Sequence, residues 1–261
     1  MSSIRVAVAG AAGKMGRETV RAIAGQQDIT LAAAVDRSSV GEDAGALAGI
    51  AHLGVAVSDD LAGSLRKSQA QVMVDFTIPS AVMDNIRTAL GMRVAPVVGT
   101  TGLGAEQLDE IRGLCERNST PAVVAPNFSI GAVLMMQFSR EAARHFPRAE
   151  IIELHHDQKK DAPSGTALRT AELMLAEPGS VLQEVKDEQP PRGQGHGPVR
   201  IHSVRLPGLV AHQEVIFGGL GQTLTIRHDS TSRESFMPGV LLAIRKVLSL
   251  EGLVVGLENL L

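Results

Sequence analysis

In the first half of the chain the apolar residues gather in short unbroken runs, separated by stretches with helical spacing. Arg5–Ala9, Ile29–Val35, Val72–Phe76, Val94–Val98 and Ala122–Ala125 read as strands. Lys14–Ala24, the segment after Pro79-Ser80, and Ala105–Arg117 read as helices. Continuous Val/Ala runs suit strands covered on both faces. Their alternation with helices predicts right-handed βαβ crossovers and a parallel sheet. The pattern then changes. Gly131–His145 puts Val133, Leu134, Phe138 and Ala142 on one helical face, Glu150–His155 reads as a strand and Ser164–Ala176 as a helix. Val199–Arg205, Val210–Phe217 and Thr223–His228 follow as strands with no helix between them, which predicts antiparallel or mixed pairing. The Pro/Gly-rich stretch Glu188–Pro198 predicts a mobile loop. Val240, Leu241, Ile244, Val247 and Leu248 form the stripe of a last helix.

The predicted fold class is α/β, an N-terminal parallel-sheet domain followed by a C-terminal α+β domain with a mixed or antiparallel sheet. Residues 1–126 are expected to form the first domain and 127–234 the second, with 235–261 returning to the first. The length of 261 residues accommodates this division.

Composition narrows the function classes. A net charge of -3 gives no basic surplus for nucleic acid. Six Phe and no Trp or Tyr leave no aromatic platform for single strands. Cys115 is the one thiol, so an intrachain disulfide and a cysteine zinc site are excluded; no metal is expected. No apolar run approaches the ~18 residues of a membrane span, and no leader is expected before the first strand. A soluble, cytoplasmic protein without membrane or nucleic-acid partners is expected.

The turn after the first strand is Gly10-Ala11-Ala12-Gly13-Lys14-Met15-Gly16. Small residues there let the backbone turn sharply and approach a pyrophosphate, while the following helix points free N–H groups and its positive end at the phosphates. Asp36 stands twenty residues beyond Gly16 at the end of the second strand, placed to accept hydrogen bonds from ribose hydroxyls. Arg37 beside it could hold a 2′-phosphate, helped by Lys14. The first domain thus reads as Rossmann-like, binding a nicotinamide dinucleotide. Asp36 favours NADH and Arg37 tolerates NADPH. Gly99-Thr100-Thr101-Gly102 also follows a parallel strand, either as a lining of the nicotinamide pocket or as an ordinary βα loop. Ala125-Pro126-Asn127-Phe128 follows another strand and marks the change of domain, where a hinge with cofactor contacts is expected.

The densest chemistry lies in Glu153-Leu154-His155-His156-Asp157-Gln158-Lys159-Lys160-Asp161-Ala162-Pro163-Ser164-Gly165-Thr166-Ala167. Two His and two Lys end a strand, and a helix then starts with Ser164 as its N-cap. Backbone donors at Gly165 and Thr166 suit a carboxylate. The cations suit a small dicarboxylate, and His beside Lys supplies protons for a reduction.

The run from His155 to Ala167 resembles the dihydrodipicolinate reductase family, whose pattern is paired His, then Lys, then Asp-Ala-Pro-Ser-Gly-Thr-Ala. Gly10–Gly16, Gly99–Thr101, Ala125–Phe128 and the stretch from His202–Arg205 to Ser232-Arg233 are also similar to family segments. The resemblance implies reduction of 4-hydroxy-tetrahydrodipicolinate to tetrahydrodipicolinate, with loss of water, in lysine and diaminopimelate biosynthesis. It implies NADH or NADPH as hydride source and a homotetramer assembled through the C-terminal sheet. It implies His155 as catalytic proton donor and acceptor, and Lys159, rather than Lys160, as the lysine that protonates the reduced intermediate. His156, Ser164, Gly165 and Thr166 become substrate contacts. Gly10, Ala11, Ala12, Gly13, Lys14, Met15, Asp36, Arg37, Gly99, Thr100, Thr101, Ala125, Pro126, Asn127 and Phe128 become cofactor contacts.

Two other readings stay open. Another nicotinamide-dependent oxidoreductase of the aspartate pathway, such as a semialdehyde dehydrogenase, needs a nucleophilic thiol. Cys115 lies in the amphipathic Leu108–Arg117 pattern, where packing is its expected role. A non-enzymatic dinucleotide sensor needs the glycine turn but has no use for the His155–Lys159 constellation, and nothing here reads as a DNA-binding module.

Overall fold

The computed structural model describes residues 3–184 and 192–261. The first half runs β1 (Ile4–Ala9), α1 (Lys14–Ala24), β2 (Ile29–Val35), α2 (Ala44–Leu47), β3 (Val57–Ser58), α3 (Leu61–Ser68), β4 (Val72–Asp75), α4 (Pro79–Gly91), β5 (Ala95–Val98), α5 (Ala105–Asn118) and β6 (Ala122–Val124). The second runs α6 (Ile130–Ala142), β7 (Arg148–His155), α7 (Gly165–Ala176), β8 (Gln194–His196), β9 (Val199–Arg205), β10 (Ala211–Gly219) and β11 (Gln222–Ser230), then α8 (Met237–Val247) and β12 (Leu253–Val255). Two compact units result: Met1–Phe128 with Phe236–Leu261, and Ser129–Ser235.

The first unit holds a seven-stranded parallel sheet in the order β12-β6-β5-β4-β1-β2-β3. Val6, Val8, Val72, Val74, Val97 and Val123 are fully buried, as expected of strands with helices on both faces. Val240, Ile244 and Val247 of α8 are buried too, and α8 lies against α1, β4, β5 and β6, so the C-terminal segment completes this unit. Leu248 is exposed; the buried stripe ends at Val247, the residue before it.

Between β2 and β4, where no element was predicted, the chain forms α2, β3 and α3. The apolar runs there are too short to signal elements. The Asp43 carboxylate organises the segment by accepting from the amides of Gly45, Ala46, Leu53, Gly54 and Val55. Asp60 caps α3 through the Gly63 amide.

The second unit holds a five-stranded mixed sheet, β11-β10-β7-β9-β8, in which β7 and β9 run parallel and the other neighbours antiparallel. Ile151, Val215 and Phe217 meet Ala167, Ala171 and Met174 of α7 in its core. Phe138, expected on the buried face of α6, is instead exposed, and Met135 and Met136 take that face. The Pro/Gly-rich stretch is not one loop: residues 188–191 lie outside the described residues, and Gln194–His196 pairs with β9 as β8. Among the described residues no helix is long and apolar enough to cross a membrane.

Candidate active site

In the first unit β1 and β4 are neighbours, and the chain winds away from them in opposite directions. The loops leaving their C-terminal ends therefore part, and a crevice opens between them. A cavity of about 550 Å³ lies there, with Gly10, Gly13, Asp36, Arg37, Phe76 and Thr77 in its wall. Gly10 has φ +81°, and a Cβ there would fall 2.6 Å from the Phe76 carbonyl oxygen. At Gly16 a Cβ would fall 2.0 Å from the Gly10 carbonyl oxygen, so only glycine lets α1 sit this close to the turn. α1 starts with no side-chain cap and no acid in its first turn. Its first amides, from Lys14 and Met15, have no intrahelical acceptor, an arrangement that favours an anion.

The other turn amides are already engaged. Gly10 and Ala11 donate to the Val35 carbonyl and Gly13 to the Gly10 carbonyl. Ala12 donates to Asp36 Oδ2 at 3.0 Å, while Asp36 Oδ1 accepts from the Ser38 amide and hydroxyl at 3.0 and 2.9 Å. Asp36 is thus fixed beside the glycine turn, with Arg37 next to it in the cavity wall. Lys14 is exposed at the helix start.

Phe76 ties the remaining predicted contacts together. A Cβ on Gly99 would fall 2.1 Å from its ring, and Phe128 packs edge-on against it at 5.9 Å between centroids. Thr100 is buried and donates to Asp75 Oδ1 at 2.8 Å, whereas Thr101 and Pro126 are exposed and Asn127 is half-buried. The Ala125 amide donates to the Val98 carbonyl. Sequence reasoning missed Asp75, Phe76 and Thr77, although an Asp-Phe-Thr run at a strand end before Pro79 was the available signal.

The second unit carries the ionised cluster. Glu153 on β7 is fully buried. Its Oε2 meets His155 Nδ1 at 2.5 Å and Arg205 Nη1 at 2.8 Å, and its Oε1 accepts from Arg205 Nη2 at 2.7 Å and from the Ser164 amide at 3.2 Å. Burial alone would raise the pKa of this carboxyl; hydrogen bonds from His155, Arg205 and Ser203 outweigh it and hold the value at about 2. The parallel register sets Glu153 opposite Ser203 and His155 opposite Arg205. Arg205 also donates to the Asp161 carbonyl at 2.6 Å, tying the loop after β7 to the sheet.

Lys159 Nζ donates to both Asp161 carboxylate oxygens, at 2.8 and 2.7 Å, and this bond holds the Asp161 carboxyl below its ordinary range. Lys160 is exposed. Ser164 caps α7, its Oγ accepting from the Ala167 amide at 3.2 Å. Gly165 and Thr166 form the first turn of α7, with open space where a Gly165 Cβ would stand. His156 is half-buried, and its carbonyl accepts from the Lys159 amide. Glu153 and Arg205, neither predicted, are the centre of this cluster. Cys115 is buried in α5, and burial, with Glu116 nearby, pushes its thiol up to about 11, which removes the nucleophile a semialdehyde dehydrogenase would need.

Comparison with known proteins agrees with this layout. Family models described as dihydrodipicolinate reductase, N-terminus, and dihydrodipicolinate reductase, C-terminus, match residues 4–128 and 131–261. The 4-hydroxy-tetrahydrodipicolinate reductase of Moorella thermoacetica is 57% identical, with 100% of this chain and 99% of that protein covered. That of Desulfitobacterium hafniense is 52% identical, with both chains covered completely. The solved dipicolinate-bound dihydrodipicolinate reductase from Paenisporosarcina sp. TG-14 superposes with a TM-score of 0.86 at 43% identity, covering 99% of this chain and 100% of that one. The chain belongs to the dihydrodipicolinate reductase family, and it is an oxidoreductase whose N-terminal unit is a nucleotide-binding Rossmann-type domain.

Proposed function

We propose that this chain reduces 4-hydroxy-tetrahydrodipicolinate, with loss of water, to tetrahydrodipicolinate in lysine and diaminopimelate biosynthesis. The observation that carries the chemistry is the Glu153-centred network, which ends on His155 and stands beside Lys159 and the start of α7. Residues 1–126, with 235–261 returning to them, serve as the dinucleotide-binding domain and residues 127–234 as the substrate-binding and oligomerisation domain.

The residues of the first unit fit NADH or NADPH. Gly10 and Gly16 leave the space that side chains would fill, the uncapped start of α1 receives the pyrophosphate, Asp36 accepts from ribose hydroxyls, and Arg37 pairs with a 2′-phosphate when one is present. Gly99 to Thr101 and Ala125 to Phe128 complete the nicotinamide end. When bound, the reduced nicotinamide supplies a hydride.

In the second unit, Glu153 is ionised and can only accept, so it holds the His155 proton on Nδ1 and leaves Nε2 as the nitrogen that gains or loses a proton. Lys159 must leave Asp161 to protonate the substrate atom on which electron density builds. Its charge stabilises that density. The solved relative carries dipicolinate, a planar dicarboxylate. A ligand of that kind suits His156, the Ser164 hydroxyl and the backbone donors of Gly165 and Thr166. A homotetramer forms through the sheet face that carries Ile152, Leu154 and Ile216, opposite α6 and α7, and the protein works in the cytoplasm.

A coupled assay that generates the substrate and follows loss of reduced-nicotinamide absorbance tests this reading. The wild type should oxidise the cofactor. Lys159→Ala and His155→Ala should fold, bind cofactor, and lose about 10²–10⁴-fold in turnover, while Lys160→Ala stays near wild type. Cofactor binding without oxidation would favour a sensor. Near-normal turnover in Lys159→Ala together with a loss in Lys160→Ala would move the proton donor by one residue.

A further inference from the structure

Asp75, the last residue of β4, is fully buried, and among the described residues no Lys, Arg or His side chain forms an ion pair with it. Four donors satisfy it instead. Oδ1 accepts from the Thr77 amide at 2.9 Å, the Thr77 hydroxyl at 2.7 Å and the Thr100 hydroxyl at 2.8 Å. Oδ2 accepts from Asn85 Nδ2 at 2.8 Å. A buried carboxylate without a cation is tolerable only when its lone pairs are used in this way.

The arrangement has a consequence for the cavity, because Thr77 and Asn85 are both in its wall. A carboxylate only accepts, so each hydroxyl aimed at it has spent its one proton. For the same reason Asn85 must turn nitrogen, not oxygen, toward Asp75. The same nitrogen lies 3.4 Å from Thr77 Oγ. The amide nitrogen is thus turned to this pair, and Oδ1 is the atom left for a ligand. We propose that Asp75 sets the hydrogen-bond polarity of this end of the nucleotide cavity: Thr77 and Asn85 present only acceptors, so this end takes an uncharged donor of the dinucleotide and refuses its phosphates. The inference rests on the dinucleotide reading above.

The contrast with the start of α1 supports it. There the amides are open and no acid stands in the first turn. Here a buried negative charge lies behind the wall, and the neighbouring helix α4 begins with Pro79, which has no N–H to offer. Phosphate is thereby directed to the glycine turn, while a ribose hydroxyl, a base amino group or a carboxamide NH₂ is directed to Thr77 and Asn85. Asp75 is a positioning residue in this scheme, acting through two side chains.

The test measures dissociation constants for NADH and NADPH by calorimetry, with thermal melting to confirm folding. Asp75→Asn puts an NH₂ opposite Asn85, which must rotate to accept from it and so turns its own NH₂ toward the ligand. Binding should weaken roughly tenfold or more. The exchange Asp75→Asn with Asn85→Asp restores an acceptor in the wall and should regain most of the loss. Thr77→Val, which keeps the shape and removes the hydroxyl, should also weaken binding, and Thr77→Ser should retain it. Should Asp75→Asn fail to fold, the Thr77 pair still decides. With 5′-AMP and nicotinamide mononucleotide as separate probes, the half whose binding falls in Thr77→Val supplies the donor. Folded Asp75→Asn and Thr77→Val proteins that bind both dinucleotides as tightly as wild type would overturn the proposal. A wild type that binds neither dinucleotide would instead remove the reading on which it rests.

Discussion

Around Gly10–Gly16 the protein works with backbone and with atoms that are missing; around Glu153–Thr166 it works with ionised side chains. The charged groups of the first region stand around the turn, with Asp36 tied to an amide and to Ser38, and Arg37 and Lys14 beside it. Its distinguishing feature is close approach, with Gly10 and Gly16 at distances that no Cβ could occupy. The second region puts Arg205, Glu153 and His155, drawn from two neighbouring parallel strands, in one chain of contacts. A cradle for a large ligand is built by removing bulk, whereas a proton-handling site is built by fixing charges, and each fails in its own way when mutated.

Gly10→Ala should break the first region most severely. Its Cβ would overlap the Phe76 carbonyl, and φ +81° strains any L-residue, a cost of about 1–3 kcal/mol before any ligand is considered. Dinucleotide binding, followed by calorimetry, should fall by roughly a hundredfold or more, as about 3 kcal/mol of lost fit implies. A Gly10→Ala protein that bound as tightly as wild type would refute the role of close approach.

Glu153→Gln should break the second region through its charge alone. The folded carboxyl titrates at about 2, below its unfolded value of 4.5. A group depressed in this way contributes stability that is fully present above the unfolded value and is lost as the pH falls from 4.5 toward 2. The contribution at neutral pH is about 3 kcal/mol. Denaturant melts across pH should show the variant destabilised at pH 7 and flatter than wild type in the acid range. Turnover should fall with it, because His155 loses the carboxylate that holds its Nδ1 proton. An unchanged acid profile would mean that another carboxyl carries this dependence.

The smallest effects belong to the cofactor's ribose end. Asp36→Ala should weaken NADH more than NADPH, and Arg37→Ala the reverse, each by about 1–2 kcal/mol or roughly five- to thirtyfold. Steady-state constants for both cofactors measure this. Equal effects on the two cofactors would show that Asp36 and Arg37 do not choose between them, and the first region would then recognise its ligand by shape alone.

The βα alternation of the first half, the change to consecutive strands in the second, and the glycine spacing were legible because each is a local regularity. The mixed pairing of the second sheet was legible as an alternative rather than as a register. Phe138 shows where periodicity misleads: apolar type suggested burial, but the buried face of α6 is filled by Met135, Met136 and Ser139. The segment from Asp43 to Val55 shows another limit, since it is held by one carboxylate on five amides and has no period to read. Glu153 heads the His/Lys run, but its partner Arg205 stands 52 residues further on, where no local pattern links the two.

By itself the sequence determined a parallel-sheet domain with a glycine turn and a later cluster of His, Lys and a helix start, because spacing, backbone freedom and helix ends are properties of neighbouring residues. Only the tertiary structure decided that Asp36 turns back to the Ala12 amide, that Asp75 commits Thr77, Thr100 and Asn85 as donors, and that Arg205 closes on Glu153. Those partners lie up to 52 residues apart. They meet because sheet order and register bring strand ends together, and a buried charge accepts whichever donors the fold delivers to it.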